Sequence, residues 1–503
     1  MDLRSSNELE HLSARDIAAK IRRRDVSAVE VFDAVTARIE RYGEALNAIV
    51  RFDPAIGRAQ AVAVDRRPAD AEALPLLGVP FTVKDCLWVG GLPATQGSQR
   101  FRNFVAPRDS WCVARMRALG AVFVGATNCP EFAAKGVTDN LLYGKTRNPW
   151  DPTRTPGGSS GGAASAVASG FGALALGTDA GGSIRRPAAH CGVVGMKPTL
   201  GIIPDPHGFE DASLGLSTVG PLARNVEDAA LMLESLLGYD PADPLSVPFR
   251  GDSRIGRVIL EAPPTSLRIA FSSDLGCGFR CDADVLDTIK TAVARLQSAG
   301  YRVTDADVNW PAFLPTYPEL ACEHAGLAAL YGDGLNGLRS AEFDPVVRDQ
   351  VAAGFGKTGV EIATAFLQRR EIHASLAHFF EQFDLLLCPT TPVTAWPLDE
   401  DFPRVIGGKP AGPRGHAAFT PLFNICGVPA CSVPAGFVNG LPVGLQIVGP
   451  RFEDARVLQM ARLIEQLLAL SLRPPLPTSR ADARAATRMR TPEPAARPTR
   501  WDG

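Results

Sequence analysis

The sequence has few cysteines and no pattern that would use them. Ten cysteines occur among its 503 residues, and no two of them form a Cys-x-x-Cys pair. Histidines at zinc-type spacing are also missing, which excludes the common structural zinc sites, and the low cysteine content excludes a small disulfide scaffold. We therefore expect reduced, mostly buried thiols, as in a cytosolic protein, and neither a metal nor an organic cofactor.

Long apolar runs and an excess of one charge are absent as well. The first residues contain no apolar segment of the signal-peptide type, and the longest apolar stretch, residues 163–176, is interrupted by glycine and serine. A bilayer span needs about 20 apolar residues. The 52 basic residues nearly balance the 54 acidic ones, so nothing favours nucleic acid or a membrane as a partner. These absences predict a soluble, cytoplasmic globular protein.

Helical and strand patterns alternate along most of the chain. Residues 10–43 have helical periodicity, with a capping box at Ser27 and Glu30, and apolar runs at 77–83 and 121–125 are typical of buried strands. Further strands are predicted at 268–272 and 384–388, and further helices at 284–299 and 453–470. This order predicts an α/β fold. We expect one large domain over residues 1–472, with a catalytic core at about 75–225, and a disordered Arg- and Pro-rich tail over 473–503.

Glycine and serine are concentrated in two segments that could carry chemistry. Residues 157–162 read GGSSGG, and residues 177–185 read GTDAGGSIR. A phosphate-binding loop is disfavoured, because no Gly-Lys-Ser/Thr follows either segment. A nucleophile elbow around Ser159 matches the letters G-x-S-x-G. The three prolines in residues 148–156, however, do not fit the central strand that must precede such an elbow.

A serine nucleophile that works without histidine is the remaining alternative. Ala180, Gly181 and Gly182 can place their backbone N–H groups in a concave nest that stabilises an oxyanion, and Ser183 follows in the same turn. A serine hydroxyl needs a base, and a lysine kept neutral by burial can serve. Lys84 stands in an apolar segment, although a lone lysine of this kind is more often a strand-end residue that reaches solvent.

Several segments together resemble the amidase signature family. They are VKD at 83–85, GGSSGG at 157–162, GTDAGGSIR at 177–185 and CGVVGMKPT at 191–199. Similar segments at 143–151 and 440–449 extend the resemblance over about residues 8–470. The resemblance implies a single large domain in which helices cover both faces of a mixed, twisted central β-sheet. It also implies an active site near the loops after Val83, Pro156 and Asp179.

The resemblance assigns roles to individual residues. Ser183 aligns with the nucleophile, Ser159 with a bridging serine on a cis peptide, and Lys84 with the base. The oxyanion hole would be formed by the backbone N–H groups of Ala180, Gly181, Gly182 and Ser183. Four neighbours are expected to orient the loops, namely Ser160, Thr178, Asp179 and Arg185. Three residues align with a region that lines the acyl site, namely Gly136, Val137 and Thr138.

Other polar residues near the motifs are interpreted as structural. His190 is expected to be a satisfied loop residue, Cys191 a packed thiol and Lys197 a residue at a strand end. An apolar substrate pocket could draw on aromatic and histidine side chains from two later regions, without favouring any one of them. These candidates are Phe209, Trp310, Phe313, Tyr317, His324, Tyr331 and Phe355.

The implied function is hydrolysis of the C–N bond of a small carboxamide to an acid and ammonia or an amine, through an acyl-enzyme. The alternative is the glutaminase (A-type) subunit of a tRNA-dependent amidotransferase, which resembles the same family and needs partner subunits. Residues 215–221 read GLSTVGP where that subunit would carry a Ser-Leu-Asp-Gln-like segment, and this difference favours the free-standing amidase. A catalytically silent binding protein is a third alternative, against which the intact triad argues. We expect a homodimer, the default oligomer of cytosolic enzymes.

Overall fold

The computed structural model describes residues 9–68, 74–313, 318–333 and 342–476. Most of the predicted tail, from residue 477 onward, therefore lies outside the described residues. Within them, no helix combines the length and the apolar character that crossing a membrane requires. None of the ten cysteines, all of which lie among these residues, forms a disulfide bond, and seven of them are buried.

Eleven strands of the described residues form one mixed sheet, and two more form a small ribbon. The strands are β1 Ile49–Arg51, β2 Pro80–Lys84, β3 Val122–Thr127, β4 Leu174–Asp179, β5 Val194–Lys197, β6 Thr218–Ala223, β7 Ile269–Phe271, β8 Val303–Asp305, β9 Leu385–Pro389, β10 Val405–Ile406, β11 Lys409–Pro410, β12 Ala430–Val438 and β13 Leu441–Val448. The order across the large sheet is β1-β3-β2-β4-β6-β5-β12-β13-β9-β7-β8, and β10 pairs with β11.

The helices of the described residues agree with most of the predicted periodicities. They are α1 Ala14–Arg22, α2 Ala28–Leu46, α3 Pro54–Asp65, α4 Trp111–Ala118, α5 Gly161–Ala168, α6 Arg185–Cys191, α7 Val226–Leu236, α8 Ile255–Val258, α9 Ala283–Ser298, α10 Pro318–Tyr331, α11 Pro345–Phe355, α12 Gly359–Gln382, α13 Pro421–Ile425 and α14 Asp454–Leu468. The helix predicted over 10–43 is two helices. Arg24 adopts a left-handed conformation (φ 59°) between them, and the Ser27–Glu30 capping box starts the second one.

Helices cover both faces of the sheet, as the family resemblance implies. In β9, Leu385 and Leu387 pack into the larger core cluster, whereas Leu386 and Cys388 pack into a second cluster. Successive side chains of a strand point to opposite faces, so both faces of β9 are buried. The larger cluster includes apolar residues of α9 and α14, and the second includes residues of α12 and α13.

The parallel centre of one half of the sheet brings chain segments of distant sequence together. β2 pairs in parallel with β3 on one side and with β4 on the other. Every residue of β2 and β3 is buried, which is typical of strands covered on both faces. The carboxyl ends of parallel strands lie at the same sheet edge. Lys84, the last residue of β2, and Thr178, near the end of β4, therefore lie close to one another.

Candidate active site

Lys84 is the buried base candidate at the end of β2. Its side chain is fully buried, and its Nζ lies 2.7 Å from Ser159 Oγ and 2.8 Å from Thr178 Oγ1. No carboxylate of the described residues forms an ion pair with it. The neighbouring Asp85 instead accepts a hydrogen bond from Thr95 Oγ1. Lys84 therefore does not reach solvent, and its amine faces two hydroxyl groups.

Ser159 is held by a tightly packed loop in front of α5. The peptide bond between Gly158 and Ser159 is cis. A Cβ on Gly158 would lie 2.6 Å from the carbonyl oxygen of Val137, so only glycine fits there without movement of the backbone. The N–H of Ser160 donates to the carbonyl oxygen of Ser183 at 3.0 Å. The loop therefore connects the lysine side of the site with the turn that carries Ser183.

The predicted substrate wall contacts the loop that carries Ser159. Thr138 Oγ1 donates to the carbonyl oxygen of Gly157 at 2.8 Å and accepts from the N–H of Gly161 at 3.1 Å. A Cβ on Gly136 would lie 1.9 Å from the His416 ring. Gly136, Val137 and Thr138 thus support the serine loop from behind. The described cavity lining is instead formed by the residues just before them, from Phe132 to Ala134.

Asp179 and Arg185 form a buried ion pair that shapes the turn around Ser183. Both side chains are fully buried, and Arg185 Nη2 lies 2.9 Å from Asp179 Oδ1. Asp179 also accepts hydrogen bonds from the N–H groups of Gly182 (2.7 Å) and Ile184 (3.1 Å). Burial alone would raise the pKa of Asp179, but the charge and hydrogen bonds of Arg185 hold it well below its usual range. The ionised carboxylate therefore fixes the backbone on both sides of Ser183.

The N–H groups available to an oxyanion differ from the predicted set at one position. The N–H of Gly182 donates to Asp179 and is therefore not free to face a substrate. In the part of the chain that the structure describes, the N–H groups of Ala180, Gly181 and Ser183 have no hydrogen-bond acceptor. These three groups are therefore the ones available to an oxyanion, and Ala180 and Ser183 line the same cavity as Ser159.

Ser160 and Thr178 connect the serine loop with β4. Ser160 Oγ donates to the carbonyl oxygen of Thr178 at 3.2 Å, and the N–H of Thr178 donates back to Ser160 Oγ at 3.4 Å. Thr178 Oγ1 also accepts a hydrogen bond from Lys84, so Ser160 and Thr178 connect the serine loop and β4 to the base candidate. That the two residues orient the loops for catalysis stays a prediction.

A cavity of about 380 Å³ opens at the serines. Its wall includes Ser159, Thr178, Ala180 and Ser183. The aromatic residues that line it are Phe132, Phe209 and Tyr331. The carboxylate residues that line it are Asp205, Glu210, Asp211, Asp243 and Glu323. The cavity is therefore large enough for a small organic substrate and combines apolar walls with acidic groups.

Two of the aromatic candidates from the sequence are part of this wall, namely Phe209 and Tyr331. Trp310 packs against the second core cluster, Phe355 is exposed, and Tyr317 lies outside the described residues. Sequence reasoning missed Phe132, whose ring stacks on Tyr331 with centroids 3.8 Å apart. The Cys-Pro-Glu-Phe segment, which ends at Phe132 just before the predicted substrate wall, was the feature of the sequence that could have indicated this residue.

Glu131 anchors this wall and makes stability dependent on pH. It is buried and accepts from Ser98 Oγ (2.6 Å) and from the N–H of Asp344 (2.7 Å). Burial raises the pKa of Glu131 from 4.5 to about 7. Between these values the unfolded chain ionises Glu131 while the folded protein keeps it protonated. The stability that this group contributes is therefore complete below about pH 4.5 and is lost as the pH rises through 7.

We expect Glu131→Gln to remove this loss of stability at higher pH. The difference in the free energy of unfolding between variant and wild type should grow from near zero at pH 4.5 to about 3 kcal/mol in favour of the variant at pH 8. Urea denaturation at a series of pH values measures it. Glu40→Gln, at an exposed position, serves as the control. A difference that does not change with pH would contradict the prediction.

His190, Cys191 and Lys197 are all buried outside the lysine–serine contacts. Neither ring nitrogen of His190 has a hydrogen-bond partner within the described ranges, and burial lowers its pKa to about 3. It is thus buried and neutral, but not satisfied as the sequence had suggested. Burial raises the pKa of the Cys191 thiol, which donates to the carbonyl oxygen of Pro156. Lys197 ends β5 as predicted, but it is buried, and burial lowers its pKa to about 7.

The fold is α/β with a mixed sheet, and its candidate site contains a lysine–serine contact. The described hydrogen bonds at this site include no serine–histidine pair. The family model named Amidase matches residues 30–458. The chain therefore belongs to the amidase signature family, as the sequence motifs indicated.

The relatives of the chain include amidotransferase A subunits and an aryl acylamidase. The A subunit of glutamyl-tRNA(Gln) amidotransferase from Carboxydothermus hydrogenoformans is 36% identical over 482 residues, covering 91% of this chain and 98% of that subunit. Among solved structures, a bacterial aryl acylamidase of the amidase signature family superposes with a TM-score of 0.84 at 29% identity, over 91% of this chain and 96% of that one. The corresponding A subunit from Thermotoga maritima gives a TM-score of 0.70 at 27% identity, over 94% and 98%.

Proposed function

We propose that the chain hydrolyses the C–N bond of a carboxamide through an acyl-enzyme on Ser183. The observation that carries the proposal is the 2.7 Å contact between the buried Lys84 amine and Ser159 Oγ. It supplies a base next to a serine that is connected to the Ser183 turn by a backbone hydrogen bond. The cavity and the three free N–H groups supply the space and the oxyanion donors.

The proposed reaction begins with two proton transfers. Ser183 Oγ attacks the amide carbon while its proton passes to Ser159 Oγ, and the Ser159 proton passes to the Lys84 amine. The oxyanion of the tetrahedral intermediate accepts hydrogen bonds from the nest. The proton then returns along the same route to the leaving nitrogen, the C–N bond breaks, and the acyl-enzyme forms. Water attacks the ester by the same route and releases the acid.

The described hydrogen bonds join Lys84 to Ser159 but do not join Ser159 to Ser183. Catalytic hydrogen bonds are often long in the absence of substrate and shorten in the complex. We therefore propose that the Ser159–Ser183 contact closes when a carbonyl group occupies the nest. Ser159 and Ser183 line the same cavity, and this placement supports the proposed contact.

The biological setting has two candidates. The curated relatives are A subunits of the tRNA-dependent amidotransferase, matched over nearly their full length, and they support that setting better than the free-standing enzyme that the sequence analysis had placed first. The free-standing amidase remains the second candidate because the chain superposes better on an aryl acylamidase, and because residues 215–221 lack the expected acidic segment. Both candidates use the same cleavage chemistry.

Ammonia release by the purified chain tests the proposal. The panel comprises aliphatic amides, aryl amides and glutamine, each assayed with the chain alone and with any proteins that copurify with it. Turnover of simple amides by the chain alone supports the free-standing amidase. Turnover of glutamine that requires a copurifying partner supports the amidotransferase subunit. No turnover of any amide under either condition counts against the proposed function.

Lys84→Met should lower kcat on every amide that is hydrolysed by at least about 10³-fold, because no base remains for Ser159. Methionine has a similar length, and its introduction leaves no carboxylate of the described residues without an ion-pair partner, so the fold should be retained. Replacing Lys145, which pairs with the exposed Asp399, by Met provides the matched control. Comparable kcat values for Lys84→Met and the wild type would exclude Lys84 as the base.

A further inference from the structure

Arg186 is a buried cation directly beside the candidate active site, and part of its guanidinium group has no hydrogen-bond partner among the described residues. It occupies the first turn of α6, and only 4% of its surface is exposed. Its Nε and Nη1 atoms have no hydrogen-bond partner. It lines a side chamber of about 40 Å³ whose wall also includes Ala180, Gly181 and Ser183. The guanidinium group therefore borders the same space as the nucleophile and the nest.

The nearby carboxylates are already engaged with other arginines. Asp179 is paired with Arg185 at 2.9 Å. Glu323, which lines the same chamber, lies 3.8 Å from Arg414. Burial, and secondarily the charge of Arg414, lower the pKa of Arg186 to about 9, so the group is still charged at neutral pH. A buried charge without a partner is costly, and an anion in the chamber would remove that cost.

The main cavity and the side chamber differ in charge. The main cavity is lined by five acidic residues, which disfavour an anion there. The side chamber is bordered by Lys135, Arg186 and Arg414, and Lys135 is neutralised by its ion pair with Asp344 at 2.6 Å. Glu323 also borders this chamber and is offset by Arg414, so Arg186 makes the side chamber the part of the site where an anion is favoured. Its volume suits a small group such as a carboxylate.

We propose that Arg186 binds a carboxylate of the substrate, and that the substrate is therefore a carboxamide that also carries a free carboxylate. The inference rests on the proposed function, since it uses Ser183 as the nucleophile. A guanidinium group binds a carboxylate through two parallel N–H···O bonds, which also fixes the orientation of the bound molecule. Arg186 is thus a specificity-determining residue that places the scissile amide against Ser183.

The test compares matched substrates. Half-amides of three-, four- and five-carbon dicarboxylic acids are assayed beside the corresponding neutral diamides, and kcat/KM is measured for each. For the best-fitting chain length, the wild type should prefer the half-amide by roughly 10- to 100-fold, the usual effect of a charged hydrogen bond. Arg186→Gln should bring the ratio of the two kcat/KM values, half-amide over diamide, close to one. Arg186→Lys should restore part of it. An unchanged preference in Arg186→Gln overturns the proposal.

A binding measurement separates this proposal from the proposed function. Succinate and glutarate are titrated calorimetrically into Ser183→Ala and into Ser183→Ala combined with Arg186→Gln. Weakening of dicarboxylate binding by about 10-fold or more in the double variant supports the carboxylate site even if no amide is hydrolysed. Equal affinity in both proteins overturns the carboxylate site even if amides are hydrolysed.

Discussion

Replacing Ser183 by alanine should abolish amide hydrolysis, with a fall in kcat of about 10⁴- to 10⁶-fold, and leave the fold intact. The Ser183 hydroxyl makes no hydrogen bond within the described residues, so its removal breaks no network. Its loss removes the only atom that can form the acyl-enzyme in the proposed mechanism. Ammonia release measures the effect on kcat, and the urea midpoint reports whether the variant is folded.

Ser165→Ala is the matched control for this prediction. Ser165 is a buried serine of α5, and its Oγ donates to the carbonyl oxygen of Arg147 at 3.1 Å, away from the lysine–serine contact. The variant makes the same chemical change six residues after Ser159 and should keep its kcat within a few-fold of wild type. Substantial turnover by Ser183→Ala, in a preparation free of wild-type protein, would exclude Ser183 as the nucleophile.

Arg185→Met should destabilise the folded protein by about 3–5 kcal/mol, the usual effect of removing one member of a buried ion pair. The carboxylate of Asp179 would remain fully buried without its cation. Arg185 also donates to the carbonyl oxygen of Thr420, to Gln446 Oε1 and to Asn424 Oδ1, and these acceptors would lose their donor. Urea denaturation measures the free energy of unfolding.

The adjacent arginine supplies the control. Arg186→Met removes a guanidinium that has no hydrogen-bond partner at Nε or Nη1, so it should leave the free energy of unfolding unchanged or raise it. Of these two neighbouring arginines on one helical turn, only Arg185 is thus expected to lower the free energy of unfolding when it is replaced by methionine. Equal destabilisation by the two substitutions would mean that the Asp179–Arg185 ion pair does not contribute specifically to the free energy of unfolding.

Parts of the site could be predicted because their determinants are local in the chain. The capping box at Ser27, the succession of apolar strands, and the Gly- and Ser-rich segments around Ser159 and Ser183 follow from spacing and residue type alone. The break between α1 and α2 was not predicted, although the charged run at residues 22–25 interrupts the apolar periodicity and the capping box at Ser27 marks a new helix start. Whether Lys84 reaches solvent also could not be predicted, because a short apolar strand can end either at the protein surface or in the interior.

The sequence by itself determined the family, the α/β class and the three side chains that carry the proposed chemistry, because these depend on residue identity and order. Only the tertiary structure decided which N–H groups remain free, which segment lines the cavity and which arginine lacks a partner. Lys84 and Ser159 are 75 residues apart, and Arg185 and Asn424 are 239 residues apart. Such contacts depend on strand order and packing. A hydrogen-bonding group that is used in one contact is also unavailable for another. Arg185 and Arg186, which are neighbours of the same residue type, therefore acquire different roles.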